Sequence, residues 1–281
     1  MILIADSGST KTDWRICKAN NTSIAFKTKG LNPHFIESKE IEKEIKDCFP
    51  KTELTQAVTH IFFYGSGCKA EHSKLNLKKA LNNVFQNASC EVETDLVGAA
   101  RAMLGNNNGI ISILGTGMNS GFWSKCNIET YTPSLGFILG DEGSGAHLGK
   151  QLLQAVFYEN LPEPIISDFF KEYPITIDDV ITRTYKTAFP NQYLASFVPF
   201  LENHISCLEI RHIVENSFRE FIEKHILKIT KKTQFFHIFV IGSVGYYFND
   251  ILALVSKQHN ITIARVEKSP IEFLCDYHRE I

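Results

Sequence analysis

Met1-Ile2-Leu3-Ile4-Ala5-Asp6-Ser7-Gly8-Ser9-Thr10-Lys11-Thr12-Asp13-Trp14-Arg15-Ile16-Cys17 is the stretch from which the fold is read. An apolar run stops at small and hydroxylated residues, then an apolar pattern returns. That spells strand, tight polar turn, strand: a β-hairpin. Ile110–Leu114 repeats the design, running into Gly115-Thr116-Gly117-Met118-Asn119-Ser120-Gly121 and then Phe122-Trp123. A second echo joins His60-Ile61-Phe62-Phe63-Tyr64-Gly65-Ser66-Gly67 to His237-Ile238-Phe239-Val240-Ile241-Gly242-Ser243-Val244. Both are continuous apolar runs, as strands buried on both faces require, and both leave through Gly-Ser. A helical face follows each: Leu77, Leu81, Val84 and Phe85 after the first, and Phe248, Ile251, Leu252 and Val255 after the second. The pattern predicts one α/β domain used twice, with ligands at the carboxyl ends of its strands.

The length of 281 residues accommodates about two domains of ordinary size. Asp95 opens a helix carried by Leu96, Ala99, Ala100, Met103 and Leu104, and Gly105-Asn106-Asn107-Asn108-Gly109 breaks it. The boundary is placed there, giving domains over 1–108 and 109–269, with a last helix over about 270–281 returning to the first. Ile41, Ile45 and Phe49 mark another amphipathic helix, and 151–232 reads as mostly helical. With 29 basic against 31 acidic side chains there is no basic field, so nucleic acid and anionic membranes are not expected partners. Seven cysteines without a C-x-x-C pair support no zinc site, iron–sulfur site or disulfide framework. The N-terminal run is too short and uncharged for a signal peptide, and no apolar stretch nears the roughly 18 residues of a membrane span. The expectation is a reduced, cytoplasmic protein that handles a small molecule.

Several loops could carry chemistry. In the first hairpin tip, backbone N–H groups and the hydroxyls of Ser9, Thr10 and Thr12 could donate to phosphate oxygens, with Lys11 beside them. Asp6, at the strand end, could hold Mg²⁺. A plain polar hairpin is the alternative, and no G-x-x-x-x-G-K-[ST] is present. The second tip offers Thr116 and Asn119 where Thr10 and Thr12 stand in the first. Gly242-Ser243-Val244-Gly245 could meet a ligand or simply let a helix pack on the sheet. Gly140-Asp141-Glu142-Gly143-Ser144-Gly145 could bind sugar hydroxyls or cap the helix that starts near Ala146. Asp95 could be an N-cap or a general base. Asn32, before Pro33, reads first as a turn residue.

In this order, Asp-Ser-Gly-Ser-Thr-Lys-Thr-Asp-Trp at 6–14, Gly-Thr-Gly-Met-Asn-Ser at 115–120, Leu-Gly-Asp-Glu-Gly-Ser at 139–144 and Gly-Ser-Val-Gly at 242–245 resemble the N-acetylglucosamine kinase and BadF/BadG-type ATPase family. That family lies in the actin, sugar kinase and heat-shock ATPase superfamily. The resemblance implies an α/β fold of two duplicated ribonuclease-H-like, actin-like ATPase domains with a nucleotide in an interdomain cleft. It implies ATP contact at Thr10 within the Ser9–Thr12 loop, a second phosphate loop containing Gly117, an adenosine loop at Gly242 and Ser243, and Mg²⁺ near Asp6. It implies Asp95 as catalytic base and Asn32, Thr116 and Asp141, with Asn119 beside them, as sugar contacts. Ser134-Leu135-Gly136 stands where mammalian-type members have Gly-Trp-Gly, so Leu135 and Gly136 take the place of the sugar-facing tryptophan. Met118 replaces a serine. Near the C-terminus, Ser269-Pro270-Ile271-Glu272-Phe273-Leu274 replaces a glycine-rich pattern.

The expected function is ATP-dependent phosphorylation of the 6-hydroxyl of an amino sugar, N-acetylglucosamine first, with glucosamine and N-acetylmuramic acid as related substrates. The strand edges would also support a homodimer. Two rivals share the scaffold: an ATPase activator, which needs a bridging thiol at Cys68 or Cys126 for an iron–sulfur cluster, and a non-catalytic sugar sensor.

Overall fold

The opening run folds as β1 (Ile2–Ser7) and β2 (Lys11–Cys17), antiparallel, with Ser7 opposite Thr12 at the tip. The structure, a computed structural model, describes residues 1–18, 22–33, 36–49 and 53–279. β3 (Ser23–Lys29), α1 (Ser38–Cys48), α2 (Glu53–Ala57), β4 (His60–Gly65), α3 (Glu71–Val84), β5 (Ser89–Thr94) and α4 (Asp95–Leu104) come next. The second hairpin is β6 (Gly109–Leu114) and β7 (Met118–Ser124), with β8 (Asn127–Glu129), α5 (Gly136–Leu139) and α6 (Gly145–Phe157) after it. The mostly helical stretch holds α7 (Glu163–Glu172), α8 (Ile177–Tyr185), α9 (Pro190–Ala195), α10 (Val198–Asn203) and α11 (Leu208–Phe221). A π-helical turn over Ile222–Ile226 then leads into α12 (Leu227–Thr233). β9 (His237–Ile241), α13 (Ser243–Tyr247), α14 (Asn249–Gln258), β10 (Thr262–Glu267) and α15 (Ile271–Arg279) follow. Glu280 and Ile281, which the sequence assigns to the last helix, lie outside the described residues.

The chain divides into two compact units. One comprises Met1–Asn107, Lys125–Ile128 and Ser269–Ile281; the other comprises Asn108–Ser124 and Glu129–Lys268. One sheet runs β3-β2-β1-β4-β5 and the other β10-β9-β6-β7-β8. Reversed, the second order is the first with each strand replaced by its counterpart, so the duplication heard in the hairpins extends to whole sheets. In both sheets the hairpin is antiparallel, whereas β4 and β5, or β9 and β10, run parallel to its first strand.

Burial explains why these runs became central strands. On one face of the first sheet, Leu3, Ala5, Trp14, Ile16, Ile61 and Phe63 pack with Ile41 and Ile45 of α1 and Leu77 and Leu81 of α3. On the other face, Ile4, Cys17 and Tyr64 pack with Ile271, Leu274 and Cys275 of α15. With apolar contacts on both sides, the strands need no alternation of polar and apolar residues. The second sheet shares one larger core with α6, α7, α9, α10, α11 and α14, filled by Leu152, Phe169, Phe200, Phe218 and Leu252 among others. No helix among the described residues is long and apolar enough to cross a membrane.

Candidate active site

Register fixes where the first unit's acids lie. β1, β4 and β5 are parallel, with Ser7 beside Gly65 and Gly65 beside Thr94. Asp6 and Asp95 therefore emerge at the same carboxyl end of the sheet, two strand spacings apart, roughly 10 Å between backbones. Asp6 also sits directly opposite Asp13 across the hairpin, so their side chains share a face, and like charges so placed repel. Burial is the main cause that pushes the Asp6 carboxyl up to about 7, with the charges of Asp95 and Asp13 adding to it and Lys11 opposing. Lys11 is exposed and pairs with Asp13 at 2.6 Å. At the end of β4, the Ser66 hydroxyl is buried without a protein partner.

Asp95 begins α4 but does not cap it. The cap is Thr94, whose side chain accepts from Val97 N–H at 3.3 Å. Asp95 Oδ1 accepts from Leu96 N–H at 2.9 Å. Burial raises its carboxyl to about 6 despite that hydrogen bond. The capping reading of Asp95 is thus taken over by its neighbour, and the half-buried aspartate is left for other chemistry.

The hairpin tip corrects one expectation. Thr12 is fully buried, and its hydroxyl donates to the Lys29 carbonyl at 3.0 Å. It must then accept from Ser7, 2.8 Å away, while Ser7 Oγ accepts from Leu31 N–H at 3.0 Å. This directed chain ties the tip to the exit of β3, so Thr12 braces the loop rather than offering a donor to phosphate. Gly30 completes the brace: a Cβ there would lie 2.4 Å from the Ser9 carbonyl oxygen. Thr10 and Lys11 are exposed and Ser9 is half-buried. Asn32 is half-buried, and its carbonyl accepts from Ile36 N–H at 3.2 Å.

In the second unit, the loop between α5 and α6 packs on the second hairpin tip. Gly145 N–H donates to the Gly115 carbonyl at 2.7 Å and Ala146 N–H to the Thr116 carbonyl at 3.0 Å. Thr116 and Asn119 are half-buried, and Asn119 Oδ1 accepts from Ser120 N–H at 3.0 Å. A Cβ on Gly117 would stand 3.1 Å from Asp141 Oδ2. Asp141 is buried in the left-handed region at φ +58°. Burial lifts its carboxyl to about 6, although the Met118 N–H donates to it. Neither Asp141 nor Glu142 caps α6; Ser144 does, accepting from His147 N–H at 3.1 Å.

Glu142 is held differently. Burial alone would raise it, but hydrogen bonds from His225 and Lys224 hold it down at about 2. His225 Nε2 lies 2.9 Å away and Lys224 Nζ 3.0 Å away. A cavity of about 350 Å³ opens beside this loop. It is lined by Met118, Thr132, Leu135, Leu139, Asp141, Glu142, Lys224, His225 and Lys228, among others. The volume falls in the range of small-molecule sites, roughly 300–1,000 Å³. Of the expected substrate residues, Leu135 and Asp141 are on its wall; Thr116, Asn119 and Gly136 are outside it. Thr132, Lys224, His225 and Lys228 escaped the sequence reading. The available signal was the acid pair itself, since a buried Glu142 demands a cation or donor partner.

Gly242 has φ +125°, and a Cβ there would lie 2.3 Å from the Leu114 carbonyl oxygen. The glycine is required by the close approach of the backbone after β9 to the end of β6, a strand-to-strand contact and not the helix-on-sheet packing the sequence suggested. Ser243 after it is exposed. Cys68 is fully buried, and burial pushes its thiol up to about 12. Cys126 is exposed.

Among the described residues, no group of three or more His, Cys, Asp or Glu forms a metal cage. The donor set in the first unit nevertheless fits a hard divalent cation: desolvated carboxylates in excess of cations, next to an orphaned hydroxyl. Mg²⁺ commonly uses one or two carboxylates and completes its shell with water and phosphate.

No protein-family model and no curated protein matches the chain. Solved structures do. A provisionally named N-acetylglucosamine kinase from Porphyromonas gingivalis is 36% identical, with a TM-score of 0.93 over 100% of this chain and 99% of that one. A provisionally named N-acetylglucosamine kinase from Chromobacterium violaceum shares the fold at 15% identity and TM-score 0.69, over 98% of each chain. A ROK-family glucokinase from Streptomyces griseus, in complex with glucose and AMPPNP, shares it at 12% identity and TM-score 0.58, over 98% of this chain and 97% of that one. Both units have the sheet plan of actin-like ATPase domains. With more than a third of its residues identical over its whole length to the Porphyromonas gingivalis protein, the chain belongs to the N-acetylglucosamine kinase family of the actin-like ATPase fold.

Proposed function

We propose that the protein is an ATP-dependent kinase that phosphorylates the 6-hydroxyl of an amino sugar, N-acetylglucosamine. The observation that carries this reading is Asp95, held at the carboxyl end of a parallel strand, released from capping by Thr94, with its carboxyl lifted to about 6. A base with that pKa is ionised at neutral pH yet basic enough to take a proton. The sugar O6 attacks the γ-phosphorus in line, the bond from that phosphorus to the bridging oxygen of ADP breaks, and the O6 proton passes to Asp95.

Asp6 and its cross-strand partner Asp13 would hold Mg²⁺, which when bound neutralises charge on the β- and γ-phosphates. In the first unit we assign Ser9, Thr10 and Lys11 to the phosphates and Asn32 to the sugar. In the second we assign Gly117, Gly242 and Ser243 to the nucleotide, and Asp141, Thr116, Asn119, Leu135 and Gly136 to the sugar. The names of the relatives support the reaction class.

The test is a coupled ADP-release screen over N-acetylglucosamine, glucosamine, N-acetylmannosamine, N-acetylmuramic acid and glucose, with a no-sugar control. Sugar-dependent ADP release, greatest with N-acetylglucosamine, is expected. Release that ignores sugar would make the protein an ATPase, and no release with any sugar would end the kinase reading.

A further inference from the structure

Asp141 is a non-glycine residue in the left-handed region, a conformation that persists only where the surroundings enforce it. The enforcement can be traced. Gly143 N–H donates to Ser217 Oγ at 3.1 Å, and Ser217 lies 2.8 Å from His147 Nδ1. Ser144 caps α6. Between Asp141 and Gly143, Glu142 is anchored by Lys224 and His225. Both anchors belong to the π-helical turn Ile222–Ile226, a local insertion of the kind that recurs at functional sites.

His225 does more than anchor Glu142. The glutamate is ionised and can only accept, so Nε2 carries the proton of that hydrogen bond. In the neutral ring Nδ1 is then an acceptor, and the Thr132 hydroxyl lies 3.0 Å from it. Thr132 begins the lip that continues through Pro133, Ser134 and Leu135 along the cavity. One buried imidazole therefore joins two parts of the cavity wall, the lip and the acidic turn.

We infer that His225 is a positioning residue for the sugar, setting the distance between the Thr132–Leu135 lip and the Asp141 turn through its two ring nitrogens. The inference rests on the proposed kinase reading for the identity of the ligand. Its bonds are made equally in the ground state and the transition state, so their loss belongs in binding rather than in turnover. Lys224 still neutralises Glu142 when the ring is removed, which preserves the fold.

The experiment uses the full chain, varying N-acetylglucosamine and ATP in steady-state assays and measuring N-acetylglucosamine binding by calorimetry without ATP. His225→Leu is expected to raise the sugar KM and Kd about tenfold, leaving kcat and the ATP KM within about twofold. His225→Gln, whose amide can donate to Glu142 and accept from Thr132, is expected to recover to within about threefold of wild type. Thr132→Val is expected to weaken sugar binding and to add nothing in the double variant with His225→Leu, because both break one connection. An unchanged sugar KM in His225→Leu overturns the inference. So does a parallel fall of kcat and melting temperature that His225→Gln fails to rescue. Sugar binding by the wild type without turnover overturns the kinase reading alone, and the Kd series still judges His225. A wild type that binds no amino sugar overturns both.

Discussion

Asp95→Asn separates the functional reading of this residue from the capping one by the sign of its effect on stability. Keeping a carboxylate ionised where its pKa has climbed from 3.8 to about 6 costs at most about 3 kcal/mol, at 1.36 kcal/mol per tenfold in proton affinity. Asp95 is only half-buried, which trims the cost to about 1–2 kcal/mol. Asparagine removes the charge and keeps an oxygen for Leu96 N–H, while Thr94 goes on capping α4. The variant is therefore expected to melt higher than wild type at pH 7.5, by roughly 3–6 °C.

The pH dependence follows from the direction of the shift. The folded state binds the proton more tightly, so wild-type stability falls as pH rises from about 4 through about 6, and the gap to the variant closes as pH returns below 4. Turnover moves the other way. Loss of the base is expected to cut kcat by at least about a hundredfold, and the wild-type rate should rise with pH through about 6. Scanning calorimetry at pH 4 and 7.5 and the coupled ADP assay measure both. A variant that melts lower at pH 7.5, or turns over near the wild-type rate, would refute the reasoning.

Thr12→Val keeps the shape of the hairpin but leaves the Ser7 hydroxyl without its acceptor, while the Lys29 carbonyl keeps only the Thr28 hydroxyl as side-chain donor; urea unfolding should show a loss of about 1–3 kcal/mol. Gly242→Ala forces a Cβ to within 2.3 Å of the Leu114 carbonyl oxygen at φ +125°, so a loss above about 3 kcal/mol and little folded protein by circular dichroism are expected. Asp141, lifted to about 6, should lose its charge and part of its acceptor capacity for sugar hydroxyls when protonated. The sugar Kd is thus expected to rise as pH falls through about 6, and an Asp141→Asn variant, already weak, should show no such inflection by calorimetry.

Much of the fold was legible because it is written locally. A strand that is apolar at every position announces burial on both faces, and Ile61, Phe63 and Tyr64 are buried. The helix from Asp95 and the breaker after Leu104 stand where propensity puts them. The site was legible only in part. Thr12 reads as a donor because a hydroxyl in a tip is indistinguishable, in sequence, from a hydroxyl spent on a neighbouring carbonyl. His225 and Lys224 went unremarked inside a mostly helical stretch, because their partner Glu142 lies far away in the chain and only folding shows it buried.

Duplication also explains why chemistry need not be duplicated with the fold. Just below the tip of the first hairpin, Asp6 faces Asp13; at the corresponding pair of the second, Ile113 faces Asn119. After β5 comes Asp95, and after its counterpart β10 comes Lys268. The same backbone thus carries three clustered aspartates at the strand ends of one unit, and an uncharged pair with an adjacent Glu267 and Lys268 at those of the other. A sheet's hydrogen bonds and apolar faces constrain the strand interiors, while residues at the carboxyl ends face loops and can change freely. In the second unit the acids sit instead on the loop before α6, where Asp141 pays with a left-handed backbone for a place against Gly117. Exchanging Lys268 for aspartate should therefore leave the second unit folded without giving it base chemistry. It would lack the desolvated acid pair that lifts Asp6, and Asp95→Asn should show no rescue by Lys268→Asp in the ADP-release assay.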